Sequence, residues 1–113
     1  MALQHTKAGE VVDLTRINKE KSIALLKHQC FEVMHLSISA GKTIAPHKVP
    51  GPITALCLTG ACIFSVENAP RELTSGSWLY LEGGVMHAVE ALEETQILVT
   101  ILFNEVEPKV KKQ

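Results

Sequence analysis

Glycine and proline residues divide this chain into short segments, and that spacing limits the folds it can adopt. The breaks fall at Gly41, between Pro46 and Pro52, at Gly60, at Pro70, at Gly76 and at the Gly83–Gly84 pair. Short segments bounded by Gly and Pro are typical of strands and turns, whereas a helix needs a longer uninterrupted run. The sequence therefore predicts a succession of short β-strands.

Hydrophobic and polar residues alternate within several of these segments. In EVMHLSISA, Met34, Leu36 and Ile38 share one face, while His35 and Ser37 share the other. The same period of two occurs in ACIFSVE and VMHAVEA and is typical of half-buried antiparallel strands. The stretch QILVTILF is apolar on both faces, which indicates a central or covered strand. This pattern predicts an antiparallel sandwich or barrel.

One segment is ambiguous between helix and strand. INKEKSIALLKH fits a helical face loosely through Ile17, Ala24, Leu25 and His28, but SIALLK also fits a strand, which we favour. No repeat or composition shift marks a boundary, so residues 1–113 are expected to form one domain.

The composition excludes several classes of function. Eleven Lys and Arg residues against twelve Asp and Glu give a net charge of −1, whereas an electrostatic nucleic-acid binder is normally far more basic. The apolar runs are well short of the roughly 18 residues of a membrane-spanning helix, and the first residues lack a signal-peptide pattern. Three cysteines are too few for a disulfide framework. We expect a cytoplasmic protein without nucleic-acid or membrane partners.

The five histidines differ in their surroundings. His28 and His35 lie on faces that look polar, and His5 lies close to the start, so all three are expected at the surface. His47 and His87 each follow a glycine-bearing turn and enter a predicted strand. These two are the candidate functional residues.

The segment around His47 resembles the first motif of the cupin superfamily, the small RmlC-like β-barrels. That motif is G-x5-H-x-H-x3-E-x6-G, and GKTIAPHKVPGPITALCLTG matches it at Gly41, His47 and Gly60. It departs at the second histidine, which is Val49 here, and at the glutamate, which is Ile53.

The segment around His87 resembles the second motif, G-x5-P-x-G-x2-H-x3-N. GSWLYLEGGVMHAVEA matches at Gly76, Gly84 and His87, with Glu82 in place of the proline and Ala91 in place of the asparagine.

The two motifs occur in the right order within residues 41–91, with 15 residues between them. The resemblance implies an all-β fold, an antiparallel cupin-type β-barrel (a double-stranded β-helix, or jelly roll). It also implies that His47 and His87 lie side by side inside the barrel.

In metal-bearing cupins, three histidines and a glutamate bind a divalent ion. Carried over by position, this chain keeps His47 and His87, while Val49 and Ile53 replace the other two ligands. A catalytic zinc site normally has three protein ligands, and a non-haem iron site has two histidines and a carboxylate. We therefore expect weak or no metal binding. Cys57, on the face of Ile53 by parity, is a candidate third ligand, although a small buried hydrophobe is its commoner role.

The inward positions around the two histidines predict an apolar pocket. Strand parity gives the expected lining as Val49, Ile53, Ala55, Cys57, Val85 and Val89 around His47 and His87. Such a pocket is the usual form of a small-molecule site. The exclusion of water from this pocket should lower the pKa of a histidine in it, because burial disfavours the charged ring. Glu82, in the turn before His87, and Glu90, on the opposite face of the strand, are expected in solvent.

Three classes of function remain. The first is a binding module that holds a small, largely apolar molecule through His47 and His87, and the loss of two metal ligands favours it. The second is a cupin enzyme, dioxygenase-, isomerase- or lyase-like, with a depleted or weakly occupied divalent-metal site or with a histidine as base. The third is an interaction protein acting through its sheet surface. The apolar rows of QILVTILF and the resemblance together predict a homodimer built through the sheet.

Overall fold

The computed structural model describes residues 6–103 of the chain. These residues form nine strands and one short 3₁₀ turn, Leu14–Arg16. The strands are β1 (Ile23–Lys27), β2 (Phe31–Ile38), β3 (Thr43–His47), β4 (Ile53–Thr59), β5 (Ala61–Val66), β6 (Ala69–Thr74), β7 (Trp78–Leu81), β8 (His87–Ala91) and β9 (Thr95–Leu102). His5 lies outside the described residues. No helix within residues 6–103 is long and apolar enough to cross a membrane.

The strands form two antiparallel sheets that face each other. One has the order β1-β2-β9-β4-β7 and the other the order β3-β8-β5-β6. The predicted all-β jelly-roll architecture is therefore confirmed, and the ambiguous segment SIALLK forms strand β1. QILVTILF forms most of β9, which pairs with β2 on one side and β4 on the other. Ile97 and Val99 on one face of β9 are buried in the core, whereas Leu98 and Leu102 on the other face lie on the outer side of the sheet.

The core lies between the two sheets. Ala55 and Cys57 of β4, Cys62 of β5 and Ile97 of β9 have no exposed surface. Phe64 fills the space beside them and is 2% exposed. Every second side chain of these strands points inward, and the inward side chains of the two sheets meet in one apolar layer, as expected for packed β-sheets.

Gly60 shows why a motif glycine is needed between β4 and β5. Its φ is +94°, and a Cβ there would overlap the backbone of Glu94 and Thr95. Both the left-handed conformation and the close backbone approach favour glycine. The turn keeps β4 and β5 in different sheets, one on each side of the core.

Residues 6–22 form an N-terminal strap beside β1 and over part of the outer face of the five-stranded sheet. The Thr6 amide donates to the Leu25 carbonyl (2.8 Å), and the Ser37 amide donates to Ser22 Oγ (2.9 Å). The Ser37 hydroxyl also donates to the Lys19 carbonyl. The strap therefore follows β1 and the end of β2.

The strap makes the surface prediction for His35 wrong. His35 does lie on the face of β2 opposite Leu36, but it has no exposed surface. Leu14, Thr15 and Lys19 cover that part of the sheet. Alternation within β2 assigns His35 to the outer face, but it carries no information about a segment that packs there from outside. His28, by contrast, is exposed as predicted.

Candidate functional site

His47 and His87 lie opposite each other on neighbouring strands. β3 pairs with β8 so that His47 faces His87, after a shift in register between Ile44 and His47. Their ring centroids are 4.3 Å apart, with the planes inclined by 59°. The predicted side-by-side placement is confirmed.

Each ring is fixed by the same local hydrogen bond. His87 Nδ1 donates to the Val85 carbonyl (2.9 Å), and His47 Nδ1 donates to the Ala45 carbonyl (3.1 Å). A carbonyl oxygen only accepts, so in each bond Nδ1 carries the hydrogen. When the rings are neutral, Nε2 is therefore the lone-pair nitrogen of both.

The two histidines differ in exposure. His47 is exposed, whereas His87 is 5% exposed and stacks on Phe64 with the ring centroids 6.1 Å apart. Burial lowers the pKa of His87; the bond to Val85 opposes this shift, and the adjacent His47 adds to it. The net lowering favours a neutral His87 ring at neutral pH, in the direction that desolvation predicts.

A cavity of about 200 Å³ opens beside this histidine pair. It lies between the two sheets, and nine of its eleven lining residues are apolar. The lining consists of Met34, Leu36, Ile44, His47, Val49, Ile53, Phe64, His87, Val89, Val99 and Ile101. The structure thus brings five predicted residues together: His47, His87, Val49, Ile53 and Val89.

Three predicted pocket residues do not line this cavity. Ala55 and Cys57 point inward as parity requires, but they lie in the closed core. Val85 precedes β8 in the loop after Gly84, so strand parity does not extend to it. It contributes its carbonyl to His87 instead of a side chain to the wall.

Cys57 is also not placed as a third ligand. Its thiol is directed at the carbonyl oxygens of Thr59 and Gly60, 3.5 Å and 3.8 Å from Sγ. Burial raises the pKa of this thiol, which disfavours the thiolate that a metal requires. The position therefore has the role of a small core residue.

Sequence reasoning missed six residues of the lining. They are Met34, Leu36, Ile44, Phe64, Val99 and Ile101. Alternation already placed Met34 and Leu36 on an apolar face, so the signal was present. What it lacked was the strand order, which sets β2 and β9 across the core from the histidine strands.

The two acidic residues near His87 lie in solvent, as expected. Glu82 is exposed and accepts a hydrogen bond from the Tyr80 hydroxyl (2.8 Å), and Glu90 is exposed on the outer face of β8. Neither carboxylate lines the cavity.

The residues present do not fit a resident divalent metal. Two imidazoles are the only side chains of the described lining that ligate a hard or borderline divalent ion, since the Met34 thioether suits soft ions and Val49 and Ile53 add no ligand. Within residues 6–103, no group of three or more His, Cys, Asp or Glu is placed to hold an ion. Structural and catalytic sites normally use at least three protein ligands. Weak metal binding at His47 and His87 stays a prediction.

Comparison with known proteins identifies the fold through solved structures alone. No protein-family model matches the chain, and no curated protein matches its sequence. A conserved protein of unknown function from Streptococcus pyogenes superposes with a TM-score of 0.77 at 22% identity, over 94% of this chain and 100% of that one. A cupin superfamily protein from Desulfitobacterium hafniense gives a TM-score of 0.78 at 16% identity, over 92% and 100%.

An enzyme is also among the structural neighbours. The salicylate 1,2-dioxygenase of Pseudaminobacter salicylatoxidans gives a TM-score of 0.67 at 13% identity, over 71% of this chain and 25% of that one. At such identities the likeness concerns the fold and does not extend to activity. The two-sheet architecture, the motif positions and these superpositions agree: the chain has the cupin fold.

Proposed function

We propose that this protein binds a small, largely apolar molecule in the cavity between its sheets, with His47 and His87 as the polar contacts. The observation that carries the proposal is the lining itself, in which nine apolar side chains surround one pair of imidazoles. Pockets that bind small molecules are usually apolar with a few convergent polar groups.

The size of the cavity limits the ligand. Its volume is about 200 Å³, and an apolar protein cavity of roughly 150 Å³ accommodates benzene. A ligand with one ring or a short branched chain fits this space. A larger molecule would extend through the opening beside exposed His47.

The tautomers of His47 and His87 limit the kind of polar group that the ligand can carry. In neutral rings, Nε2 of His47 and His87 accepts hydrogen bonds, because each Nδ1 donates to a backbone carbonyl. The lining holds no Lys or Arg to compensate a buried anion. The site therefore favours a neutral molecule with a hydrogen-bond donor, such as a phenol.

Phenol, with benzene as the matched compound lacking the hydroxyl, tests this function by ligand-observed NMR. We expect phenol to bind more tightly than benzene, and His87→Ala to weaken phenol binding about tenfold, the effect of losing one buried hydrogen bond of roughly 1.4 kcal/mol. His28→Ala, which removes an exposed histidine remote from the lining, is the control and should leave binding unchanged.

Two results would contradict the proposal. One is the absence of saturable binding by phenol and by the small molecules that native mass spectrometry finds in the purified protein. The other is a His87→Ala variant that loses stability but binds phenol as before, which would assign His87 a structural role.

A second candidate function is catalysis, and the geometry of His87 favours it. A neutral imidazole of lowered pKa, oriented by its bond to Val85, is suited to accept a proton from a bound molecule. The fold is shared with a dioxygenase. Metal analysis of protein purified without chelator distinguishes an enzyme that uses a divalent metal from one that uses a histidine as its base. Stoichiometric zinc, iron, nickel or manganese would favour a metal enzyme and contradict the expected weak binding.

A further inference from the structure

A second cavity lies on the outer face of the five-stranded sheet, under the N-terminal strap. Its volume is about 200 Å³, and the sheet separates it from the cavity beside His47 and His87. Three strap residues and four sheet residues line it: Leu14, Thr15, Lys19, His35, Leu58, Thr59 and Gln96.

His35 is an unusual residue for the floor of such a space. It has no exposed surface, and neither Nδ1 nor Nε2 has a hydrogen-bond partner among residues 6–103. Native proteins pair nearly all buried polar groups, so an unpaired buried imidazole needs an explanation. A neutral ring offers one donor and one acceptor. His35 borders the cavity, but its two nitrogens have no surface exposed to it.

The polar surroundings of His35 are fixed by hydrogen bonds. Gln96 is 3% exposed, and its Nε2 donates to Ser37 Oγ (3.3 Å). The Ser37 hydroxyl in turn donates to the Lys19 carbonyl, and the Ser37 amide donates to Ser22 Oγ. These bonds hold the strap against β2 and keep Lys19 at the edge of the cavity. The site is therefore built from fixed elements and not from a loose loop.

In the described part of the chain, a single charged side chain lines the cavity, and the Asp13 carboxylate, which accepts hydrogen bonds from the Thr15 amide and hydroxyl, lies just outside the lining. Lys19 is the charged residue of the described lining, and no carboxylate lines the space. The lining also contains two leucines, Leu14 from the strap and Leu58 from β4. An occupant is therefore expected to combine a negative group with a short apolar part.

We propose that the space under the strap is a second binding site, which takes a small organic carboxylate. The carboxylate accepts a hydrogen bond from the Lys19 ammonium group and, after a small shift of the side chains that cover it, from the His35 ring N–H, and the apolar part packs against Leu14 and Leu58. Burial lowers the pKa of His35; its own backbone carbonyl opposes this shift, and Lys19 adds to it. The net lowering favours a neutral ring, which offers an N–H without placing a charge in the buried site. This site is independent of the function proposed for the inner cavity.

Titration with sodium propionate tests the proposal, with propionamide as the matched neutral compound and sodium chloride as the salt control. The readout is the NMR resonances of the His35 ring nitrogens and the Gln96 side-chain amide at pH 7. We expect saturable shifts with propionate and none with propionamide. Lys19→Gln should weaken propionate binding about threefold, the effect of losing one partly exposed ion pair.

Lys21→Gln is the matched control variant, because Lys21 is an exposed lysine of the same strap that does not line the cavity. It should bind propionate as the unmodified protein does. Neither lysine is buried, so both variants are expected to fold.

Three results would overturn the proposal. The first is the absence of a saturable shift at His35, which would mean that the space holds water only. The second is an equal response to propionamide, or equal weakening by the two lysine variants. The third is a propionate response centred on His87, which would place the anion in the inner cavity.

Discussion

A hydrogen bond from Nδ1 to the carbonyl two residues earlier orients both His47 and His87. His35 has no such bond, and its two ring nitrogens are buried without a partner among the described residues. The three histidines therefore differ in what they can do. In their neutral forms the first two have Nε2 as a defined acceptor beside the inner cavity, and the third is a ring under the strap whose protonation the fold opposes.

The stability of the protein should depend on pH through His35. Burial is the main cause that lowers its folded pKa below the ordinary value of 6.5; its own backbone carbonyl opposes the shift, and Lys19, the charged group facing it, adds to it. The unfolded chain therefore binds more protons in this range, so stability is fully present above about pH 6.5 and falls as pH decreases toward the folded pKa. One such group changes the free energy of unfolding by at most about 1.4 kcal/mol per pH unit.

Urea denaturation between pH 5 and 8 measures this dependence. We expect His35→Leu to reduce the slope of stability against pH, while a residual slope from His87 remains, because its pKa is also lowered. At pH 7.5 the variant should be as stable as the unmodified protein or more so, since an apolar side chain leaves no unpaired nitrogen. An unchanged slope would show that His35 is protonated as easily in the folded state as in the unfolded state.

At the scale of the strand, the sequence predicts which side chains share a face but not which strands face one another. Period-two alternation correctly placed Met34 and Leu36 on an apolar face and Ile53 on an inward one. It could not place Met34 and His87 on the same cavity, because that depends on β2 and β8 lying in different, facing sheets. The motif resemblance supplied this missing information only for His47 and His87.

The alternation of side chains along a strand also fails to predict burial beyond the end of the strand, or where another segment of the chain covers the strand. Val85 lies before β8 begins, so its spacing of two from His87 has no structural meaning. His35 lies on the polar face of β2 but is buried, because the strap packs there from elsewhere in the chain. Ala55 and Cys57 point inward as predicted, yet the core is closed at their level.

The turn between β4 and β5 should not tolerate a side chain. Gly60→Ala combines a φ of +94° with a Cβ that would overlap the backbone of Glu94 and Thr95. We expect a loss of roughly 3 kcal/mol or more in the free energy of unfolding, from backbone strain and displacement of the β8–β9 turn. Urea denaturation measures it.

Gly41→Ala is the matched control for this element. Gly41 has a φ of +84°, but a Cβ there would have nothing within 4 Å. Its loss should be limited to conformational strain of about 1–2 kcal/mol. Equal losses in the two variants would show that the close approach at Gly60 contributes nothing.

At the scale of the whole molecule, the outer face of the five-stranded sheet is covered unevenly. The strap protects the part around His35, whereas Trp78 and Tyr80 on β7 are 63% and 47% exposed. Leu56 of β4 lies beside Trp78, and Leu98 of β9 lies beside Leu56, so the apolar row continues inward from the edge strand. The cytoplasmic location and the absence of nucleic-acid and membrane partners stay predictions from composition.

We expect this uncovered face to be the contact of a homodimer, as the apolar rows of β9 predict. A second copy would cover Trp78 and Tyr80 and would shield the edge strand β7, which pairs only with β4 among the described strands.

Light scattering at micromolar concentration should give about twice the chain mass of 12.3 kDa. Trp78→Glu should shift the protein toward 12.3 kDa, because it places a charge in the contact. Leu92→Glu, at a residue 50% exposed just after β8 in the other sheet, should leave the dimer intact. A mass of 12.3 kDa for the unmodified protein would contradict the dimer, and dissociation by both variants would place the contact elsewhere than on β7.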